Sequence, residues 1–157
     1  MSFTISAASI SQMNPLDVHY LYKLRVDVFV HEQQCPYAEI DPTDVRSDTL
    51  HLLARDEAGD LVGTCRVFPS RHGGEDVMQF GRFALAPAAR GTGLGHHIME
   101  AALQLCEHVA AGLPVFLEAQ APLTDYYGAF GFVACGEEFD DEGIPHAPML
   151  RRPAPPA

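Results

Sequence analysis

Arg90-Gly91-Thr92-Gly93-Leu94-Gly95 is the stretch on which the fold turns. Ahead of it, Val77-Met78-Gln79-Phe80-Gly81-Arg82-Phe83-Ala84-Leu85-Ala86 reads as a strand, and Pro87-Ala88-Ala89 turns the chain. Behind it, His96-His97-Ile98-Met99-Glu100-Ala101-Ala102-Leu103-Gln104-Leu105-Cys106 reads as a helix. Three glycines within five positions leave little side chain between the backbone amides and an approaching group, and glycine permits positive φ. A helix start presents unpaired N–H groups and the positive end of its dipole, so the segment suits an anion, most obviously a phosphate or pyrophosphate. A tight β-to-α turn with no ligand is the alternative that these six residues leave open.

Two phosphate-binding patterns are excluded. The Lys-Ser/Thr ending of a P-loop is absent, because Gly95 is followed by His96-His97. The dinucleotide fingerprint fails at its third glycine, where His96 stands. What remains is Arg90-x-x-Gly93-x-Gly95 after a strand.

The chain of 157 residues falls in one domain's usual range, and its 47% hydrophobic content suits a globular core. No run approaches the roughly 18 apolar residues of a membrane span, and Met1-Ser2-Phe3-Thr4-Ile5 does not read as a secretory signal. Cys35, Cys65, Cys106 and Cys135 are scattered without close pairing and read as reduced, mostly buried thiols of a cytoplasmic protein. The formal charge of −11 argues against nucleic-acid binding and against an anionic membrane surface. It favours a cationic acceptor such as a free amine at long range, though acidic surfaces also simply keep proteins soluble. Eight histidines show neither His-Glu-x-x-His nor paired Cys/His spacing, so no metal site is expected.

In chain order, Phe3 to Ala7 alternates as a short strand, and Asn14-Pro15 is a good helix start. Leu16, Tyr20, Leu21, Leu24 and Val28 then recur at helical spacing through about His31, with Arg25, Asp27 and Glu32 on a wetter side or at a cleft rim. Pro36 disfavours helix at Cys35, so Phe29 to Tyr37 ends in a loop that could line an acceptor pocket, and Asp41 to Asp44 continues it as a turn. Thr49 to Ala54 and Leu61 to Phe68 read as strands around a hairpin at Asp56 to Asp60, and Arg71 to Asp76 makes a second turn. After the glycines, Leu94, Ile98, Ala101, Ala102, Leu105 and Val109 line one helix face, ended by Ala111-Gly112. Pro114 to Ala119 is a strand and Leu123 to Phe130 a short helix. Phe132 to Cys135 and His146 to Leu150 close the chain as strands around an acidic turn, Glu137 to Gly143. Residues 1–152 form one domain, with 153–157 as a flexible Pro/Ala tail.

The order β-α-β-β-β-α-β-α-β-β, together with Arg90-x-x-Gly93-x-Gly95, resembles the GNAT superfamily of acyl-CoA N-acyltransferases. A second motif, Tyr126-Tyr127-Gly128-Ala129-Phe130-Gly131-Phe132, is similar to that superfamily's aromatic-Tyr-x-x-x-Gly-Phe. More narrowly, Phe29 to Tyr37, Ala119-Gln120-Ala121 and Asp141-Glu142-Gly143-Ile144-Pro145-His146 resemble its ElaA-like branch. The resemblance implies an α/β fold of the α+β type, with a mixed, splayed sheet of about six to seven strands flanked by helices. It implies an acetyl-CoA cosubstrate, an amine acceptor (small molecule or protein amine) attacking directly in a ternary complex, and compatibility with a homodimer.

Carried over residue by residue, the resemblance assigns pantetheine to the backbone of Phe83, Ala84 and Leu85. It assigns the pyrophosphate to Arg90, Gly91, Thr92, Gly93, Leu94, Gly95 and the His96 amide. Phe83 and Leu85 should face one way and Ala84 the other. Tyr127 matches the general acid, and a phenol of pKa about 10 can protonate a departing thiolate. Tyr126 takes the packing position, and Gln120 stands near a position often held by asparagine. The familiar glutamate of the strand before the loop has no equivalent between Val77 and Ala86, which leaves Glu118, His51 and His146 as alternative general bases. The competing function is a CoA-binding sensor or protein-interaction module with little turnover.

Overall fold

Eight strands make one sheet: β1 (Thr4–Ala8), β2 (Leu50–Arg55), β3 (Leu61–His72), β4 (Glu75–Leu85), β5 (Val115–Gln120), β6 (Val133–Ala134), β7 (Phe139–Asp141) and β8 (Ile144–Arg151). They lie in the order β1-β2-β3-β4-β5-β8-β6, with β7 also paired to β8. This computed structural model describes residues 2–35 and 37–153; Met1, Pro36 and the tail from 154 onward lie outside the described residues. The sheet carries one strand more than the pattern predicts. Phe139-Asp140-Asp141 pairs with Ile144–His146 across a tight turn, where the acidic composition suggests only loop.

Among the described residues only β4 and β5 run parallel, and α2 (Leu94–Val109) is the crossover that a parallel pair requires. Its apolar stripe seats Leu94, Ile98, Met99, Ala102 and Cys106 on Leu52, Cys65, Val67, Met78, Val115 and Leu117, all of them buried. Gly63 lets the helix come close, since a Cβ there would lie 2.7 Å from Ile98 Cδ1. Val109, at the end of the stripe, is exposed.

The opposite face is covered by α1 (Pro15–Arg25), capped by the Asn14 side chain accepting from the Asp17 amide at 2.9 Å. Of its expected stripe, Leu21 and Leu24 are buried while Leu16 and Tyr20 are exposed. The helix widens into a π-helical segment, Val26–Glu32, closed by the Gln33 amide donating to the Val28 carbonyl at 2.9 Å. Val28 and Phe29 from this segment, with Leu24, pack on Ala84.

Arg25 overturns the expectation of a wet side. It is 1% exposed and donates to Glu39 Oε2 at 2.8 Å, the Glu39 carbonyl at 2.7 Å and Asp44 Oδ1 at 2.6 Å. Residues 38–46, including a 3-10 turn at Pro42–Val45, fold over this face and supply carboxylates to two more arginines of the sheet. Arg66 bonds Asp41 at 2.8 Å and Asp44 at 2.9 Å. Arg82 meets Asp41 at 3.3 Å and the Glu39 carboxylate at 3.1 Å. Three guanidiniums thus meet three carboxylates in a largely dry network.

Candidate active site

β4 and β5 are joined at only two register positions, Met78 with Val115 and Gln79 with Phe116. Beyond them the strands diverge, and from Phe80 onward the β5-facing edge of β4 has no strand partner among the described residues. A bulge sits where the divergence begins: Thr64 pairs with Ala84 and Arg66 with Gly81, so β4 carries an extra residue, and Arg82 takes φ +51°. Because side chains alternate, that one residue exchanges the faces of everything after it. Phe83 and Leu85 consequently turn to the α2 side and Ala84 to the α1 side, in contact with the two separate clusters.

The glycine segment follows directly. Gly91 and Gly93 have φ of +73° and +87°, and nothing lies within 4 Å of where a Cβ would stand. Gly93 precedes α2 with no side-chain cap, and the first backbone bond back to it comes from the His97 amide at 3.2 Å. The Gly95 and His96 amides therefore have no intrahelical acceptor. Leu94 is fully buried beneath them, and Thr92 Oγ1 donates to the Ala89 carbonyl. Arg90 does not project its charge freely over the loop. Its guanidinium forms a two-pronged pair with Glu32, both contacts 2.7 Å, and also donates to the Leu85 carbonyl. The Arg90 hydrogen bonds hold the Glu32 carboxyl below its usual range. The His96 ring meets Glu100 at 2.7 Å on the exposed helix face, leaving only its backbone directed at the loop.

A cleft of about 270 Å³ opens where the strands part. It draws on both sides of the sheet: Phe80, Phe83, Leu117 and Tyr127 belong to the α2 side, and Gln79, Arg66, Glu118 and Gln120 to the α1 side. Tyr127 comes from the short helix α3 (Thr124–Gly128). It is 8% exposed, edge-packed against Phe80 and Phe132, and its hydroxyl has no hydrogen-bond partner among the described residues. Burial raises its pKa well above that of a free phenol, and Tyr126 and Cys65 add to the effect. Tyr126 stacks on Phe83, with its hydroxyl 3.4 Å from the Cβ position at Gly95.

The three alternative bases separate. His51 is fully buried on β2, its Nε2 3.0 Å from the Asp44 carbonyl, and it does not line the cleft. Residues 38–46 roof it over, a cover that alternation along β2 could not reveal. Glu118 and His146 both line the cleft. Desolvation by the cleft walls raises the Glu118 pKa and Asp141 adds like charge, while His146 and His72 oppose. The His146 Nδ1 lies 2.8 Å from the Ile144 carbonyl and donates to it, so the neutral ring keeps Nε2 as an acceptor. Gln120 reaches across to Gln33 at 3.5 Å, which ties β5 to the end of the π-helical segment. Sequence reasoning missed Gln79, Arg66, Arg82 and the cleft position of Asp141; only the short strand β7, unseen in the pattern, brings the last one in.

The family model described as "Acetyltransferase (GNAT) domain" matches residues 16–152. The chain belongs to the GNAT family. It is 42% identical to a UPF0039 protein of Mycobacterium tuberculosis over 139 residues, 87% of this chain and 86% of that one. It is 37% identical to ElaA of Escherichia coli over 141 residues, 90% of this chain and 91% of that one. Among solved structures, an acyl-CoA N-acyltransferase from Pseudomonas aeruginosa superposes with a TM-score of 0.87 at 42% identity, covering 96% of this chain and 99% of that one. E. coli ElaA superposes with a TM-score of 0.87 at 33% identity, covering 96% and 100%. The GNAT acyltransferase fold and the ElaA-like branch thus stand on both sequence and structure. Among the described residues no group of His, Cys, Asp and Glu is arranged to hold a metal, and no helix is long and apolar enough to cross a membrane.

Proposed function

We propose that this GNAT protein transfers an acetyl group from acetyl-CoA to a primary amine by direct attack within a ternary complex. The observation that carries the proposal is Tyr127 in the cleft between β4 and β5, a buried ring whose hydroxyl has no hydrogen-bond partner among the described residues. The free amides at Gly95 and His96 and the open space above Gly91 and Gly93 suit the pyrophosphate. The unpaired edge of β4 at Phe83–Leu85 suits the pantetheine, which would pair there as an added strand. That path delivers the thioester to the cleft from the α2 side, and the amine enters from the α1 side.

An arriving ammonium must first lose a proton, and Glu118 takes it directly or through water. The neutral nitrogen attacks the thioester carbonyl, the C–N bond forms, and the tetrahedral intermediate collapses with loss of the C–S bond. Tyr127 gives its proton to the departing thiolate and regains one from the acylated nitrogen through water, while Glu118 releases the proton it took to solvent. The phenol is protonated at neutral pH and so carries the proton that the thiolate takes. His146 Nε2 is positioned as an acceptor that helps orient the amine.

Tyr127→Phe tests the assignment. Release of free CoA in the presence of acetyl-CoA and an amine should fall roughly 10²-fold or more, with acetyl-CoA affinity largely retained. An unchanged rate would remove Tyr127 from the mechanism. No turnover with any amine by a wild-type protein that binds acetyl-CoA would favour a CoA-binding sensor or interaction module instead.

A further inference from the structure

The cleft carries one carboxylate more than the transfer chemistry uses. Its cationic wall is already neutralised: Arg66 is committed to Asp41 and Asp44, and Arg82 to Asp41 and Glu39. Its carboxylates are not. Among the described residues neither Glu118 nor Asp141 forms a salt bridge or a side-chain hydrogen bond, and both line the cleft. Register puts them on one face of the sheet. Glu118 pairs with Pro148, Gln120 with His146, and Asp141 with Ile144, and these β8 residues alternate in step. Glu118 and Tyr127 both line the cleft, and Asp141 lies farther along β8 than Glu118, with His146 between the two carboxylates.

We propose, on the basis of the transferase function proposed above, that the acceptor is a short linear diamine. One amine is acylated between Glu118 and Tyr127, and the second, still an ammonium, is held at Asp141. Only one of the two carboxylates is needed as a base, so the other remains as a fixed anion facing a cation. Gln33, Gln79 and Gln120 offer side-chain carbonyls to N–H groups along the way, and Phe29 and Phe68 offer apolar wall to the methylenes. An amino acid or other acceptor bearing a carboxylate at its far end would meet Asp141 with like charge and find no uncommitted guanidinium to receive it.

The test separates binding from turnover. Calorimetry on protein saturated with desulfo-CoA would compare 1,4-diaminobutane, 1-aminobutane and 4-aminobutanoate, in wild type and in Asp141→Asn. One added charge pair in a cleft predicts diaminobutane tighter than aminobutane by about tenfold, aminobutanoate weakest, and a diamine advantage that falls to near unity in Asp141→Asn. Equal affinity for the diamine and the monoamine in wild type, or a diamine advantage that survives Asp141→Asn, would overturn the proposal even if acetyl transfer is confirmed. Tight diamine binding lost in Asp141→Asn, but with no acetylation, would uphold the diamine site and overturn the transferase function.

Discussion

The two faces of the sheet are held by different physics. On the α2 face, apolar side chains interlock around Ile98, Met99 and Ala102, and helix approaches strand closely enough to require glycine at position 63. On the α1 face, Arg25, Arg66 and Arg82 share Glu39, Asp41 and Asp44, and a small apolar cluster covers only Ala84 and its neighbours. The first arrangement is forgiving of small losses and intolerant of added volume. The second depends on every charge keeping its partner. The cleft opens between them, and the proposed function assigns the cofactor to the apolar side and the acceptor to the charged side.

Asp44→Ala should produce the largest effect. It leaves Arg25 and Arg66 buried beside a missing carboxylate, and chemical denaturation should report a loss of roughly 3–5 kcal/mol. A loss under about 1 kcal/mol would mean that water reaches the network and that the two faces do not differ in the way described. Gly63→Ala probes the apolar face. Its new methyl meets Ile98 at 2.7 Å and the Leu85 and Leu94 side chains at 3.1 and 3.2 Å, so destabilisation of about 1–3 kcal/mol is expected.

The smallest effect is a difference in acid sensitivity. Burial lowers the His51 pKa below its usual 6.5, against the opposing pull of Asp44. The folded state therefore binds fewer protons there, and His51 contributes stability above about pH 6.5 that is lost as pH falls through its depressed pKa. Burial alone would raise Asp44, but hydrogen bonds and charge from Arg25 outweigh it and hold it below 3.8. Its contribution is present above that value and disappears at still lower pH. Glu39, raised by burial, works in the opposite sense. His51→Gln should therefore flatten the upper limb of the stability profile, near pH 6, and leave the lower limb in place. A profile unchanged near pH 6 would show that His51 titrates normally.

The same contrast explains what the sequence discloses. The α2 face is legible because its signals are local: a 3.6-residue apolar period, a glycine-rich turn, and an aromatic motif around Tyr127. Arg25 is not, because its partners Glu39 and Asp44 lie 14 and 19 residues away in a segment without periodicity. Within a helix pattern a buried arginine and an exposed one look alike. The same loop hides His51, since alternation tells which face a strand residue takes but not what covers it. The β4 bulge adds one residue with no compositional mark beyond Gly81, yet it decides where Phe83, Ala84 and Leu85 point. Asp141 belongs to a three-residue acidic strand that propensity reads as a turn.

In the proposed function, cofactor and acceptor approach the split from opposite faces. Calorimetric titration of acetyl-CoA into Gly93→Trp and Glu118→Gln, each first shown to be folded by thermal melting, tests it most directly. Micromolar binding retained in Glu118→Gln and lost in Gly93→Trp is the predicted result. Binding that survives at Gly93→Trp, or disappears at Glu118→Gln, would place the cofactor elsewhere and rule out approach from opposite faces.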